Sequence, residues 1–264
     1  MIHRRRAGQR ILNCIPSQKI EKDWRFEHAI AGGILQAKGS IPASRDLRES
    51  WWQVGDQKGT GSCVGWAVSD GLLRWHFVKE GRISKEQRLS VRYIWMAAKE
   101  TDEFTSYPTT FIETKGTSLK AALDIARKFG IVDEDVLDFS TGDLYPGDTE
   151  AFYAMAARLK IASYINLGSD LKKWRTWLAT KGPIAVRLEV DDTWYHALKT
   201  RGEMDRYLPK TSVSGHAACL VGYTPDYFIV RNSWGTKAWG DKGFGYASNK
   251  YAKAAFIEAY GISL

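Results

Sequence analysis

The chain has 264 residues, a formal net charge of +8, 44% hydrophobic and 26% charged residues, which suits one large domain or two closely packed lobes around a sizeable core. No run approaches the roughly 18 apolar residues of a membrane span, and the three cysteines, Cys14, Cys63 and Cys219, have no spacing that suits a metal site or more than a single disulfide. Apart from Arg4-Arg5-Arg6 the basic residues are dispersed among acids, so the charge reads as a solvated surface with a mild lean towards acidic partners and not as a nucleic-acid site.

Residues 1–40 read as an arm, basic at first, with Trp24, Phe26 and Ile30 as anchors and Gly32-Gly33 as a break. Between the basic start and Pro16, the run Ile11-Leu12-Asn13-Cys14-Ile15 is too short for the apolar region of a signal peptide. The expectation is a cytoplasmic protein, in a reducing compartment, without structural disulfides. Ile41-Pro42-Ala43-Ser44-Arg45-Asp46-Leu47-Arg48 reads as extended chain leading to the loop from Gln57 to Cys63.

From Ser62 to Glu80, apolar residues at steps of three and four (Val64, Ala67, Val68, Leu72, Trp75, Val78) predict a helix closed by Gly81. Ser62 as its N-cap puts Cys63 in the first turn, where the positive end of the helix dipole favours a thiolate. Ser90 is placed to cap a second helix to about Lys99, and Thr117 or Ser118 a third that ends before Gly130. Helices are also expected around 149–160 and 169–181, the latter stopped by Gly182-Pro183.

Past Pro183 the pattern changes. Ile184–Val190 alternates like a half-buried strand, and Ala217–Tyr223, Tyr227–Asn232, Phe244–Ala247 and Ala255–Tyr260 are short strand-like runs between Gly, Pro and Asn. No internal repeat interrupts this order. Helices first and strands second predict an α+β protein of two lobes, with Cys63 on the helical lobe, His216 and Asn232 on the strand-rich lobe, and a site in the cleft between them.

Three phrases carry the chemistry: Asp56-Gln57-Lys58-Gly59-Thr60-Gly61-Ser62-Cys63, Ser214-Gly215-His216-Ala217 and Arg231-Asn232-Ser233-Trp234-Gly235. Each alone has a plain structural reading. Cys63 on an apolar helix would pack, His216 at the head of an apolar strand would be a satisfied core histidine, and Gln57 would brace a loop. Together they supply a nucleophile, a base, a residue to orient the base and a donor for a developing oxyanion, the parts that acyl transfer needs. Cys219, within Ala217-Ala218-Cys219-Leu220-Val221, reads as a buried small hydrophobe, and Cys14 as incidental to function, or redox-sensitive if exposed.

These phrases resemble the papain family of cysteine peptidases. The window Thr60-Gly61-Ser62-Cys63-Val64 follows the family's cysteine signature except at Thr60 and Val64. Gln57 stands six residues before Cys63, where the family has its oxyanion glutamine. Asn232-Ser233-Trp234-Gly235-Thr236, followed by Trp239-Gly240-Asp241-Lys242-Gly243-Phe244-Gly245, is similar to the family's Asn-Ser-Trp-Gly block and Gly-rich loop, the most specific motif present. The resemblance covers roughly residues 41–260.

It implies a papain-like fold: an arm over residues 1–40 and a catalytic domain over 41–264, with a helical lobe at about 45–165 and an antiparallel, barrel-like β lobe at about 166–264. It implies Cys63 as nucleophile, His216 as its base in a thiolate–imidazolium pair, Asn232 as orienter, Gln57 in the oxyanion hole and Trp234 shielding the His–Asn bond. Gly116, Ala217 and Ser214 would border the substrate. No cofactor or metal is implied, and the partner is a peptide or protein substrate. Thr60 in place of a bridging cysteine, Val64 in place of an aromatic, and an arm far shorter than the family's usual propeptide point to the non-secreted bacterial type. The arm has two expected placements: packed across the back of the lobes, or folded into the cleft as a short inhibitor. The same four residues would also serve an amidase, deamidase or acyltransferase, and a catalytically silent binding scaffold stays open beside them.

Overall fold

A computed structural model describes residues 10–36, 39–101, 116–140 and 145–264; the Arg4-Arg5-Arg6 run lies outside them. Side-chain oxygens open most of the helices. Ser118 accepts from the Ala121 N–H at the start of Leu119–Lys128, Asp148 from Ala151 at Thr149–Ala157, and Asp170 from Lys172 at Leu171–Thr180. Each satisfies an N–H that a first helical turn leaves unpaired. Ser90 Oγ does the same for Val91–Thr101, accepting from Tyr93 N at 3.0 Å. Gly130 (φ +97°) and Gly182 (φ +136°) end two of these helices in a backbone region that side chains disfavour.

The Cys63 helix departs from the expected form. It is α-helical over Cys63–Gly65 and Arg74–Lys79, but Trp66–Leu73 between them is π-helical. The wider turn changes the hydrogen-bond register, and its carbonyls meet other partners. Ala67 O accepts from Cys219 Sγ at 3.0 Å and Asp70 O from Trp52 Nε1 at 2.6 Å. Ser62 makes no side-chain cap here; its hydroxyl pairs with that of Thr60 at 2.6 Å.

Among the described residues eight strands, numbered in chain order, form one sheet: β1 Arg45–Asp46, β2 Ser163–Asn166, β3 Ile184–Val190, β4 Glu203–Met204, β5 Ser214–Tyr223, β6 Tyr227–Arg231, β7 Phe244–Ser248 and β8 Phe256–Ser263. The order is β2-β8-β3-β5-β6-β7-β4, with β1 on β5. The β4–β7 pair is parallel and the others antiparallel. Helices before strands make the chain α+β, as its sequence order implies.

β3 lies between β5 and β8 and is buried at every position but Glu189, which is half-buried. Its alternation predicted one wet face, yet Leu171–Thr180 and the Cys63 helix both pack against it, and Arg187 is covered by the arm, whose Cys14 carbonyl it meets at 2.9 Å. β2 and the helix Asn249–Ala255 have no counterpart in the sequence reading.

A buried ionic cluster ties the Cys63 helix to β6. Asp70 meets Arg231 at 2.6 Å, Arg74 at 3.3 Å and Arg88 at 3.7 Å. Burial alone would raise the Asp70 pKa; Arg231, Arg88 and Arg74 overcome it and hold the carboxyl below its usual value. Arg231 immediately precedes Asn232, so this cluster fixes the relative placement of the two elements that carry the site.

Along the arm, Phe26 and Ile30 are partly buried against the core and Phe26–Ala31 is helical. Trp24 is not an anchor: its side chain is 55% exposed, and its carbonyl instead accepts from Asn166 N of β2 at 2.7 Å. No helix among the described residues is long and apolar enough to cross a membrane. Cys14, Cys63 and Cys219 are all buried free thiols, and burial pushes Cys219 up to about 12.

Candidate active site

Cys63 opens its helix, His216 stands on β5 opposite Leu188 of β3, and Asn232 follows the last residue of β6. All three are buried. His216 Nε2 lies 2.7 Å from Asn232 Oδ1, which also accepts from Ser233 N at 2.8 Å. An acceptor at Nε2 keeps the proton on that nitrogen and leaves the lone pair on Nδ1. Nδ1 is buried without a partner. The Cys63 sulfur takes backbone hydrogen bonds from Ala217 and Asn13, besides Val64 and its own residue. Ala217 directly follows His216, so the strand that carries the imidazole also meets the Cys63 sulfur.

Aromatic rings enclose the His216–Asn232 bond. The Trp234 ring lies 5.2 Å from the imidazole and Trp194 lies 5.5 Å from it, edge-on. Trp194, its ring 4.4 Å from that of Trp239 and tilted by 38°, was not singled out from sequence; it sits in Asp191-Asp192-Thr193-Trp194-Tyr195, which has no motif character. Excluding water this way strengthens the hydrogen bond.

Gln57 is fully buried. Its Nε2 donates to Ile11 O at 3.1 Å and Thr60 O at 2.9 Å, while Oε1 accepts from Ser233 Oγ at 2.8 Å. The bracing role weighed from the sequence is met by Thr60 and Ser233, and the same amide also donates to a carbonyl of the arm.

The arm supplies that Ile11 carbonyl, because residues 10–17 run through the cleft. Arg10 pairs with Asp56, Ser214 Oγ donates to Leu12 O at 3.1 Å, and Cys14 N donates to Gly215 O at 3.0 Å. Arg187 Nε donates to Cys14 O at 2.9 Å, Ile15 N to Thr117 O at 3.2 Å, and Ser17 N to Glu258 Oε1 at 3.0 Å. The approach is close enough to demand glycine. A Cβ on Gly116 would fall 1.5 Å from Asn13 O, and one on Gly215 would fall 2.2 Å from Cys14 O. Gly116 and Ser214 thus border the strip that the arm covers, and Ala217 meets the Cys63 sulfur. Cys14 is neither exposed nor peripheral: burial first, then the neighbouring Cys63 and Glu258, hold its thiol well above the usual range.

With the arm in place, burial favours the neutral forms of both the Cys63 thiol and the His216 ring. Burial raises the Cys63 pKa against the backbone hydrogen bonds that lower it. Burial also pushes His216 down to about 4, with Asn232 opposing and Arg10 assisting. His76, buried beside Lys181, is likewise pushed down to about 4. Both histidines bind fewer protons folded than unfolded between pH 6.5 and 4, so folding stability falls as pH drops through that window, by up to about 1.4 kcal/mol per unit for each. Urea midpoints of the Cys63→Ala protein are expected to fall across pH 6.5–4.5, with a shallower slope in His76→Gln; midpoints independent of pH in that range would contradict the burial of these rings.

The chain matches the family model "Papain family cysteine protease" over residues 41–262. Among solved structures, xylellain, a cysteine protease from Xylella fastidiosa, aligns with 100% of this chain and 99% of its own at TM-score 0.76 and 20% identity. Digestive procathepsin L2 proteinase from the Tenebrio molitor larval midgut aligns with 96% of this chain and 77% of its own, at TM-score 0.72 and 22% identity. The Carica candamarcensis cysteine protease CMS1MS2, in complex with E-64, aligns with 84% and 99% at TM-score 0.59 and 17% identity. At these identities the structures establish a shared papain-like fold, while the family match spans most of the sequence and includes every residue of the cleft outside the arm. The chain belongs to the papain family of cysteine proteases.

Proposed function

We propose that this protein hydrolyses peptide or isopeptide bonds through Cys63 and His216, and that the arm-filled cleft is its latent state. The observation that carries this reading is the His216 ring: one nitrogen is held by Asn232 at 2.7 Å and the other is buried and unpaired, on the strand that also meets the Cys63 sulfur. Once the arm leaves, water lowers the desolvation cost of charge. A proton can then pass from Cys63 to His216 Nδ1, with the N-terminal end of the helix and the Ala217 N–H favouring the thiolate.

The thiolate attacks the substrate carbonyl carbon, and the oxyanion is met by Gln57 Nε2 and the Cys63 N–H. Gln57 Nε2 already holds a carbonyl oxygen, that of Ile11. His216 returns its proton to the leaving amine, giving a thioester. Water then attacks the thioester, losing its proton to His216, and the acid product leaves with the thiolate restored. Asn232 keeps the ring facing the sulfur throughout, and Trp234 and Trp194 keep water from its Nε2 bond.

An epoxide probe tests this directly. Stoichiometric labelling is expected at Cys63, absent in Cys63→Ala and much reduced in His216→Ala, as mapped by peptide mass spectrometry. Labelling confined to Cys14 or Cys219, or none in folded protein under conditions that release the arm, would instead favour a binding scaffold whose cleft serves only to hold chain.

A further inference from the structure

Arg10 shows what one end of the cleft is built to hold. Its guanidinium meets the Asp56 carboxylate through two parallel contacts, Nη1 to Oδ1 at 2.5 Å and Nη2 to Oδ2 at 3.1 Å, and Nη2 also donates to Trp234 O at 3.3 Å. This is the forked geometry that distinguishes arginine from lysine. The receiving groups do not depend on the arm for their position. Asp56 and Trp234 face each other in an isolated β-bridge, Gly235 N donates to Gly55 O at 2.9 Å, and Gln57 N donates to Ser233 O at 2.8 Å. Asp56 Oδ1 is further held by Lys58 N at 2.7 Å.

Release of the arm therefore leaves a preformed acceptor set, a carboxylate plus a carbonyl. It stands one residue from Gln57 and two from Asn232 along the chain, so its distance from the Cys63–His216 pair is fixed. We propose that Asp56, with the Trp234 carbonyl, is a specificity subsite that takes an arginine side chain of the substrate at one fixed position relative to the cleaved bond. Arg10 occupies that subsite in the latent protein as a surrogate ligand. A side-chain pocket of this kind reads the guanidinium whichever way the backbone runs through the cleft, so an arm segment and a substrate can share it. The overall +8 charge leans towards acidic partners, but the carboxylate and carbonyl at this end of the cleft accept a cation.

The inference rests on the peptidase reading above, and the experiment separates the two. Full-length Arg10→Ala, in which the subsite is vacated and Asp56 retained, is compared with full-length Arg10→Ala/Asp56→Asn, an isosteric loss of charge. Each is profiled on a peptide library and then on matched peptides carrying Arg, Lys or Ala at the enriched position. In Arg10→Ala the kcat/KM ratio of Arg to Ala peptide is expected to be about tenfold, with Lys between them, as for a partly exposed forked ion pair. In the double variant the ratio collapses to about one. Cleavage without an arginine preference, or a preference that survives Asp56→Asn, overturns the subsite while leaving the peptidase standing. Absence of cleavage in both variants, although each is folded by near-UV dichroism and its Cys63 is alkylated by iodoacetamide as fast as in protein lacking residues 1–17, sinks the peptidase reading and the subsite with it.

Discussion

Replacing Cys63 with alanine is expected to lower kcat/KM for peptide hydrolysis by on the order of 10⁵- to 10⁶-fold, measured on protein whose arm has been released. His216→Ala should cost nearly as much, and the double variant no more than either single one. The non-additivity follows from mechanism: without the sulfur there is no covalent step for the base to assist, and without the base the thiol stays neutral in a buried site. Asn232→Ala keeps both reacting groups and loses only ring placement, so its loss is smaller, roughly 10²-fold. Gln57→Ala is a mixed case, because the same amide meets Ile11 O and braces Ser233; its kcat loss should come with a lower unfolding midpoint. Hydrolysis in Cys63→Ala at the wild-type rate would remove the thiol from the reaction.

The residues of the candidate site were legible because each sits in a short phrase whose chemistry is local. A nucleophile at a helix start, a histidine opening an apolar strand and an amide before a tryptophan are visible in a few residues each. The helix caps at Ser90 and Ser118 were legible for the same reason, whereas Asp148 and Asp170, which cap two further expected helices, were not singled out. What the sequence hid is long-range. The π-helical stretch Trp66–Leu73 meets Trp52 and Cys219, residues that lie far along the chain. β2 is a four-residue edge strand that exists by pairing with β8, about one hundred residues later. Ile184–Val190 looked half-buried because a period of two cannot report cover on both faces. Trp24 looked like an anchor because it is large and apolar, yet it is the backbone at Trp24, through Asn166, that attaches.

The arm's course through the cleft was one of two placements open in the sequence, but its individual contacts were hidden for a related reason. Arg10, Asn13 and Cys14 carry no motif; their significance lies in what they touch. Asp56 was in plain view beside Gln57, but a carboxylate next to an oxyanion donor gives no sequence signal until a guanidinium is seen against it.

Freeing the cleft is the second large effect. A latent state whose open form is populated at roughly 0.1–10% loses that factor from its apparent reactivity, so removing the arm from the cleft should accelerate alkylation of Cys63 by about 10- to 1,000-fold. Gly116→Ala achieves this within the full chain. Its added Cβ would meet Asn13 O at 1.5 Å, with Asn13 C and Cβ next nearest. All three contacts belong to the arm, so the arm must yield while the lobes need not. Because the same methyl could hinder a peptide substrate, the readout is the rate of carbamidomethylation of Cys63 by iodoacetamide, a reagent small enough to ignore it. Deletion of residues 1–17 is the complementary variant: it removes Arg10, Asn13, Cys14 and Ser17 but keeps the helix Phe26–Ala31 and its attachment to β2. It should raise both alkylation and peptide hydrolysis, whereas Gly116→Ala should raise alkylation more than hydrolysis. If neither variant alkylates faster than the parent while both remain folded, the arm does not gate the thiol, and the neutral, buried state of Cys63 and His216 must be a property of the lobes themselves.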